Sequence, residues 1–248
     1  MKIAVCVTQV PDTASKINLA DDNKSINPDG ISFVFNPYDE YAVEEAIKTK
    51  EQSGGEICVI SLGPEKNKET IRKALAMGCD SAVLLKTEEY FDSLAIAKAL
   101  AEEIKNQESE IVFLGKQAVD YDNSIIGQLV AAILDYNCVS VTVKLDINDG
   151  TVTAEREIEG GKEILKTSLP VVITAQKGLN EPRYASLKGI MASKKIQIEE
   201  KIPLKTDNKV EIIGMKKPES KGTGKILGFD AGAVVELVRL LKEEAKVI

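Results

Sequence analysis

The stretch from Ile111 to Ile126 reads Ile111-Val-Phe-Leu-Gly115-Lys-Gln-Ala-Val-Asp120-Tyr-Asp-Asn-Ser-Ile-Ile126. A short apolar run that ends at a glycine is typical of a buried strand. Asp122 or Ser124 then begins a helix, because both side chains can accept hydrogen bonds from the free N–H groups of a first turn. The stretch therefore predicts a strand that passes through a polar loop into a helix.

The same succession of strand and helix recurs over the first 145 residues. The apolar runs are rich in Val, Ile and Leu without polar alternation, which is expected when both faces of a sheet are covered. They predict strands at residues 3–10, 56–62, 81–85, 111–114 and 139–144. Apolar residues at three- and four-residue spacing predict helices at residues 40–51, 68–77, 93–105 and 124–135. This order predicts an α/β fold with a doubly wound, mostly parallel, Rossmann-like sheet.

A β-hairpin follows this alternation. Gly160-Gly161 separates two strand-like runs at residues 151–159 and 162–168, and paired glycines accept the positive φ of a two-residue turn. We expect Glu159 and Lys162 to face each other across this turn. Another strand is predicted at residues 171–174, after Pro170.

The pattern loosens beyond residue 198, which divides the chain into two predicted parts. Residues 1–198 are expected to form a Rossmann-like nucleotide-binding domain, and residues 199–248 an extended C-terminal arm that ends in a helix. Residues 216–224 are predicted to be a linker, and residues 232–245 an amphipathic helix with an apolar stripe. The pattern alone favours docking on a partner and packing on the same domain equally.

Composition excludes several classes of function. The chain has no histidine, which removes histidine-based acid–base catalysis and histidine-ligated metal sites. The formal charge of −7 disfavours a surface that binds nucleic acid or an anionic membrane. Neither a membrane span nor a cleavable leader is expected from the apolar runs, so we expect a cytoplasmic protein.

The four cysteines, Cys6, Cys58, Cys79 and Cys138, contain no closely spaced pair. Zinc and iron–sulfur sites use closer sets, so no metal site is predicted. We expect the cysteines to be small buried hydrophobic residues in a reducing compartment.

Ligands in open α/β sheets bind at the carboxyl ends of strands. Three segments fall at such ends: residues 6–13, residues 36–39, where Asp39 is a candidate N-cap, and residues 115–124. In the third segment, the helix start favours an anion, Lys116 adds positive charge, and Gln117 can read a base or a sugar. Nucleotide binding and a purely structural cap both fit this segment.

Two further motifs are interpreted as structural. Gly222-Thr-Gly-Lys-Ile-Leu-Gly228 matches a dinucleotide fingerprint loosely, without the strand that should precede it, and is predicted to be a linker. Glu155, Glu157 and Glu159 alternate along one strand and are predicted to form a solvated face.

Several stretches in chain order resemble electron-transfer flavoprotein β subunits. They are Val7-Thr-Gln-Val-Pro-Asp-Thr13, Asn36-Pro-Tyr-Asp-Glu-Tyr-Ala-Val-Glu-Glu-Ala46, Gly115-Lys-Gln-Ala-Val-Asp120, Arg156-Glu-Ile-Glu-Gly-Gly161, Leu179-Asn-Glu-Pro-Arg-Tyr-Ala-Ser-Leu187 and Gly189-Ile-Met191. The matches extend to about residue 195, and Asn-Glu-Pro-Arg-Tyr is the most specific of them.

The resemblance implies an electron carrier rather than an enzyme. It implies a heterodimer with an α subunit that holds most of a redox-active FAD, a bound AMP, and a C-terminal arm around the α subunit. Matching positions for AMP contact are Cys6, Asn36, Pro37, Tyr38, Asp39, Leu62, Gly115, Lys116, Gln117, Ala118, Val119, Asp120, Tyr121, Asp122, Asn123, Ser124, Ile125 and Ile126. Thr13 matches the part of the β subunit that approaches the flavin.

The resemblance also implies a docking site for flavin-dependent dehydrogenases at residues 184–195. Leu187 matches an apolar anchor in a mobile loop, and such a single anchor suits weak, exchangeable docking. The candidate docking residues are Tyr184, Leu187, Ile190, Met191, Lys194 and Lys195.

The chain departs from the family pattern at three places. Ser124-Ile-Ile126 replaces polar residues near the phosphate, Thr8 replaces a basic residue, and Ala192-Ser193 follows Met191 before the lysines. Two alternatives stay open. One is an electron-bifurcating β subunit with a second FAD, which Lys188 favours and Tyr121 disfavours. The other is a stand-alone nucleotide-binding module of the stress-protein type.

Overall fold

The computed structural model describes residues 1–219 and 224–248. The strands are β1 (Lys2–Cys6), β2 (Gln9–Pro11), β3 (Asn18–Leu19), β4 (Ile26–Asn27), β5 (Phe33–Phe35), β6 (Glu56–Gly63), β7 (Ser81–Lys86), β8 (Ile111–Gly115), β9 (Asn137–Asn148), β10 (Thr151–Ile158), β11 (Gly161–Ser168), β12 (Val171–Ala175) and β13 (Ile198–Lys201). The helices are α1 (Pro37–Ser53), α2 (Lys68–Met77), α3 (Ser93–Asn106), α4 (Ile126–Leu134), α5 (Leu187–Ser193) and α6 (Ala233–Glu243), with a 3₁₀ turn at Glu65–Asn67.

Nine of the strands form one sheet, in the order β11-β10-β9-β12-β8-β1-β6-β7-β13. From β9 to β13 neighbouring strands are parallel, whereas β10 and β11 form an antiparallel hairpin at one edge. Continuously apolar strands such as β12 are buried along their whole length, because helices cover both faces of the sheet. The predicted doubly wound, mostly parallel α/β fold is confirmed.

The chain changes direction across the sheet at β1. It moves from β1 to β6 and β7 on one side, then returns to β8 on the other side, and Ile3 lies in register with both Ile57 and Ile111. The crossovers therefore diverge between β1 and β8. In open α/β sheets the carboxyl ends of strands at such a switch point form the ligand crevice.

The first predicted strand is shorter than expected. Residues 3–10 divide into β1, which ends at Cys6, and β2, in which Val10 pairs with Val34 of β5. The break occurs because the backbone N–H of Thr8 donates to the side chain of Asp39, over 2.8 Å, rather than to a neighbouring strand.

The hairpin forms where predicted, but its register differs. The last pair before the turn is Ile158 opposite Gly161, so Glu159 and Gly160 are the two turn residues. Lys162 therefore lies opposite Glu157, and the expected pairing of Glu159 with Lys162 is wrong. The positive φ of +81° falls on Gly160 alone, so a single glycine suffices for this turn.

Three of the cysteines are buried as expected, but Cys138 is exposed. Successive side chains of a strand point to opposite faces, and in β9 it is Val139 that enters the core. Burial raises the pKa of the thiols of Cys6, Cys58 and Cys79, so these thiols stay protonated at neutral pH.

The sheet extends past the predicted domain boundary, because β13 is parallel to β7 and ends at Lys201, three residues beyond residue 198. In α6 no residue is buried, and the apolar side chains of Val234, Leu237 and Val238 are about half exposed. The described part of the chain therefore leaves the apolar stripe of α6 about half exposed. Part of the predicted linker and of the fingerprint-like motif, residues 220–223, lies outside the described residues.

No helix in residues 1–219 or 224–248 is long and apolar enough to cross a membrane.

Candidate functional site

A cavity of about 160 Å³, here called the inner cavity, lies at the carboxyl ends of β1 and β8. Its walls come from these strand ends, from the loop that follows β8, and from one side of α3. The structure brings together most of the predicted AMP-contact residues here: Cys6, Asp39, Leu62, Gly115, Lys116, Gln117, Ala118, Asp120, Tyr121, Asn123, Ile125 and Ile126. The inner cavity thus occupies the switch point of the sheet.

A pair of side chains at the start of α1 joins the strand ends around the inner cavity. The carboxylate of Asp39 accepts hydrogen bonds from the N–H of Thr8, over 2.8 Å, and from the N–H of Gly115, over 3.1 Å. The amide of Asn36 donates to Asp39 over 2.8 Å and to the carbonyl of Gln117 over 2.9 Å. These bonds connect the segment after β1, the start of α1 and the loop after β8.

Asp39 is a buried residue whose side chain connects two strand ends, and it is not the N-cap that the sequence predicts. Asn36 is the N-cap residue of α1, and Asp39 lies in the first turn, 5% exposed. Burial raises the pKa of Asp39 to about 7, although the hydrogen bonds from Asn36, Thr8 and Gly115 act in the opposite direction. Its carboxylate positions the backbone that forms the wall of the inner cavity.

Gly115 is required by close packing at the end of β8. A Cβ atom at this position would lie 2.7 Å from the Cβ of Tyr38, and it would also meet the carboxylate of Asp39. Asn36, Pro37 and Tyr38 support this wall from behind and do not line the inner cavity. The Nζ of Lys116 lies 5.0 Å from the ring centroid of Tyr38, a cation–π distance.

The loop between β8 and α4 is held by its own side chains. Gln117 donates to the carboxylate of Asp122 and accepts from the hydroxyl of Ser124 over 2.6 Å. Asp122 and Ser124 both have positive φ, 53° and 50°, so neither begins a helix as predicted. They turn the chain instead, and α4 begins two residues after Ser124.

The start of α4, which lies at the inner cavity, has backbone N–H groups that no side chain caps. Its N-cap residue is Ile125, and no side chain in the described part of the protein caps the helix. Leu129 is the first residue of α4 whose backbone N–H donates to a backbone carbonyl, that of Ile125, over 3.0 Å. The N–H groups before it, together with the helix dipole, favour an anion at this end of the inner cavity.

The opposite wall of the inner cavity is apolar and comes mostly from residues that sequence reasoning missed. The missed residues are Tyr90, Phe91, Ser93, Ile96, Leu100 and Leu114, whereas Val7 and Thr8, which also line the cavity, belong to the candidate segment 6–13. Ile96 and Leu100 are four residues apart on α3, a spacing that reads as a core-facing stripe and not as a ligand wall. The predicted contacts Val119, Asp122 and Ser124 do not line the inner cavity.

A second and larger cavity of about 1190 Å³, the outer cavity, adjoins the inner one. Thr13 lines it, as do Val119 and residues 208–212 of the arm. Tyr90, Asp120 and Tyr121 line both cavities and therefore form their boundary. Burial raises the pKa of Asp120 and that of Tyr121.

The predicted docking residues form an exposed patch at the start and on one side of α5. Tyr184 is 98% exposed, Leu187 85% and Met191 62%, while Ile190, Lys194 and Lys195 are also exposed. Leu187 begins α5, whose N-cap Ser186 accepts from the N–H of Gly189 over 3.0 Å. The anchor position is therefore on a short helix rather than in an irregular loop.

Ion pairs and hydrogen bonds pin this patch to the domain. Arg183 forms a two-point pair with Glu44, over 2.8 and 2.9 Å, and a second pair with Glu51. The side chain of Glu44 is buried, 6% exposed. At the far end of α5, Arg72 donates to the carbonyls of Ser193 and Ile196.

The inner cavity offers a donor set that fits an adenine mononucleotide. An apolar wall from α3 suits a base, and Gln117 and Asn123 supply polar groups. Lys116 and the uncapped start of α4 suit a phosphate. At the boundary with the outer cavity, the carboxyl group of Asp120 would disfavour a further negatively charged group of a ligand.

The fold and the site define a Rossmann-like α/β protein with a ligand cavity at the switch point of its sheet. Residues 25–203 match the family described as electron transfer flavoprotein domain. The chain is 40% identical over 262 residues to the electron transfer flavoprotein subunit beta of Bacillus subtilis, with all of both chains covered. The chain therefore belongs to the electron-transfer flavoprotein β-subunit family.

Relatives from distant organisms agree. The chain is 35% identical over 256 residues to the human electron transfer flavoprotein subunit beta, covering 100% of this chain and 99% of the relative. It is 37% identical over 257 residues to the Arabidopsis thaliana protein named electron transfer flavoprotein subunit beta, mitochondrial, with all of both chains covered. The chain is accordingly a subunit of an electron carrier rather than an enzyme, and a stand-alone stress-protein module is no longer supported.

Proposed function

We propose that this chain pairs with an electron-transfer flavoprotein α subunit, completes the environment of an FAD held mainly by that subunit, and binds AMP in its inner cavity. The complex would pass electrons from flavin-dependent dehydrogenases to a downstream acceptor. The observation that carries the proposal is the inner cavity itself, between the uncapped start of α4 and the apolar side of α3.

The AMP assignment rests on complementary chemistry. Ile96, Leu100 and Phe91 would cover the base, and Lys116 and the first N–H groups of α4 would face the phosphate. Ile125 and Ile126 contribute no side-chain donors, so the phosphate would be bound by backbone groups. The Asn36–Asp39 pair would position both strand ends beneath the nucleotide.

FAD supplies the electron-transfer chemistry when it is bound. Thr13, on the wall of the outer cavity, is the residue of this chain proposed to approach it. The arm and α6 are proposed to bind the α subunit, because Val234, Leu237 and Val238 form an apolar stripe that is about half exposed in this chain. On this proposal, the chain that follows β13 forms the partner-binding unit.

The exposed patch on α5 is proposed to bind the dehydrogenases. Leu187 and Tyr184 present apolar surface, and Lys194 and Lys195 add positive charge at its rim. A small exposed anchor with a charged rim suits brief encounters with several donors. We also propose that this chain is located in the cytoplasm.

Co-expression with an α subunit tests the pairing. We expect a one-to-one complex with flavin absorbance, whereas the isolated chain should be colourless. Replacing Leu237 and Val238 by Asp should weaken the complex, because charges would enter the apolar contact. Glu243→Gln, a control on the opposite face of α6, should leave it intact. A chain that never binds an α subunit would overturn the proposal.

A further inference from the structure

One buried carboxylate serves both the inner cavity and the arm. Asp92, 3% exposed, caps α3 by accepting from the N–H of Ala95 over 2.8 Å. Its second oxygen accepts from the backbone N–H groups of Lys209 and Val210, the latter over 2.9 Å. The carboxylate therefore joins a helix of the domain to the arm, more than a hundred residues away in sequence.

Asn208 completes this junction from the arm. Its side-chain oxygen accepts from the N–H of Asp92 over 2.8 Å, and its side-chain amide donates to the carbonyl of Tyr90 over 3.0 Å. We call the group Tyr90, Asp92, Asn208, Lys209 and Val210 the arm latch. It holds the arm through hydrogen bonds that any shift of residues 90–92 would disturb.

The same short segment forms part of the inner cavity. Tyr90 and Phe91 precede Asp92 and line the cavity, and Ser93 and Ile96 follow it and line the cavity as well. The hydroxyl of Ser93 also accepts from the amide of Asn123 over 2.8 Å, which connects the segment to the loop before α4. A ligand in the inner cavity would thus contact the same short segment that the arm contacts.

We infer that Asp92 is a positioning residue that couples the inner cavity to the arm, so that AMP binding and α-subunit binding strengthen each other. AMP that orders residues 90–96 would also order the arm latch. The α subunit, by fixing α6 at the far end of the arm, would hold the same residues. Because such linkage is reciprocal, each ligand must raise the affinity of the other by the same factor.

Two variants separate the latch from the fold. Asp92→Ser keeps a residue that caps helices well but is too short to serve the arm at the same time. Asn208→Ala removes the other half of the latch and leaves the cap of α3 unchanged. Lys205→Ala is the matched control, because it removes a different arm contact, the exposed ion pair with Glu89 at 2.8 Å, and lines neither cavity.

The test measures the Kd of AMP by calorimetry for the full chain alone and for the heterodimer. The inference rests on the proposed function and predicts that AMP binds the wild-type heterodimer about fivefold or more tightly than the isolated chain. In Asp92→Ser and Asn208→Ala this ratio should approach one, and AMP should no longer slow hydrogen exchange at residues 204–215. Lys205→Ala should keep both effects. A wild-type ratio of one, or latch variants that keep the wild-type ratio, would overturn the coupling alone. Failure of AMP to bind the wild-type heterodimer would overturn the proposed AMP site and the coupling together.

Discussion

The side-chain amide of Asn36 donates to the carboxylate of Asp39 over 2.8 Å, at the point where three chain segments meet. Asp39 holds the backbone of Thr8 and Gly115, and Asn36 holds the loop after β8. Neither residue adds a group that reacts. Their contribution is to keep the carboxyl ends of β1 and β8 at the separation that the inner cavity requires.

Replacing Asp39 by Ala should destabilise the domain strongly. The change leaves the partly buried N–H groups of Thr8 and Gly115 without their acceptor, and we expect the free energy of unfolding to fall by about 2 kcal/mol. Urea unfolding of the isolated chain measures this loss. Asp29→Ala, at an exposed position, should change it by less than about 0.5 kcal/mol. Equal losses for the two variants would contradict the role given to Asp39.

Arg183→Gln should loosen the docking patch. The change leaves the buried carboxylate of Glu44 unpaired, and we expect a loss of about 2 kcal/mol, a value reduced because the guanidinium is 35% exposed. Hydrogen exchange at residues 184–193 should become faster. Arg239 offers a matched control, since it pairs with two glutamates on the exposed surface of α6. Arg239→Gln should cost less than about 0.5 kcal/mol, and an equal cost would refute the difference between the two pairs.

Leu187→Ala should slow electron transfer from a flavin-dependent dehydrogenase without changing flavin content or stability. A truncated anchor typically costs about 2 kcal/mol, which is roughly thirtyfold in Kd. Titrating the heterodimer against the dehydrogenase in a steady-state reduction assay measures this change as a higher KM. Ile164→Ala removes a comparable side chain, 70% exposed, from the hairpin. If Ile164→Ala raises KM as much as Leu187→Ala does, the patch is not the docking site.

Stability in acid should depend on a ring of charges at the β7–β13 edge. Glu65 and Glu200 each pair with both Lys68 and Lys86. Hydrogen bonds from Lys68 and then Lys86 lower the pKa of Glu65 to about 2 and also lower the pKa of Glu200. An acid whose folded pKa is depressed stabilises the fold above its unfolded pKa, 4.5, and this stabilisation is lost as the pH falls toward 2.

The double variant Glu65→Gln, Glu200→Gln should therefore show a weaker loss of stability than the wild type between pH 4.5 and 2. Unfolding curves at stepped pH measure the slope, and high salt should reduce the difference because the ring is exposed. Glu181→Gln, at another exposed position, should keep the wild-type slope. A double variant with the wild-type slope would show that the ring does not carry the acid dependence.

Much of the fold follows from local sequence. Strands such as β6 and β12 are continuous runs of Val, Ile and similar residues, and a covered parallel sheet is the arrangement that suits them. The position of the inner cavity near Gly115 could be predicted, because a glycine after a buried strand allows another group to approach the backbone closely. The hairpin register could not be predicted, since Gly160 and Gly161 allow more than one turn and only the structure selects among them.

The parts that were missed depend on contacts distant in sequence. Ile96 and Leu100 have the spacing of core residues, and only the position of α3 beside β8 turns them into a cavity wall. Asp39 is a residue type that often caps helices, but its carboxylate accepts instead from the N–H groups of Thr8 and Gly115. Ser124 precedes an apolar helix as a cap would, yet its hydroxyl bonds to Gln117.

The assignment of AMP to the inner cavity is tested by quantifying the nucleotides released when the purified heterodimer is denatured. We expect AMP and FAD in equal amounts, one of each per heterodimer. Mass spectrometry of the released fraction, with protein concentration measured in parallel, gives this ratio. Two FAD per heterodimer without AMP would identify the electron-bifurcating form instead, and FAD without any second nucleotide would contradict the assignment of the inner cavity.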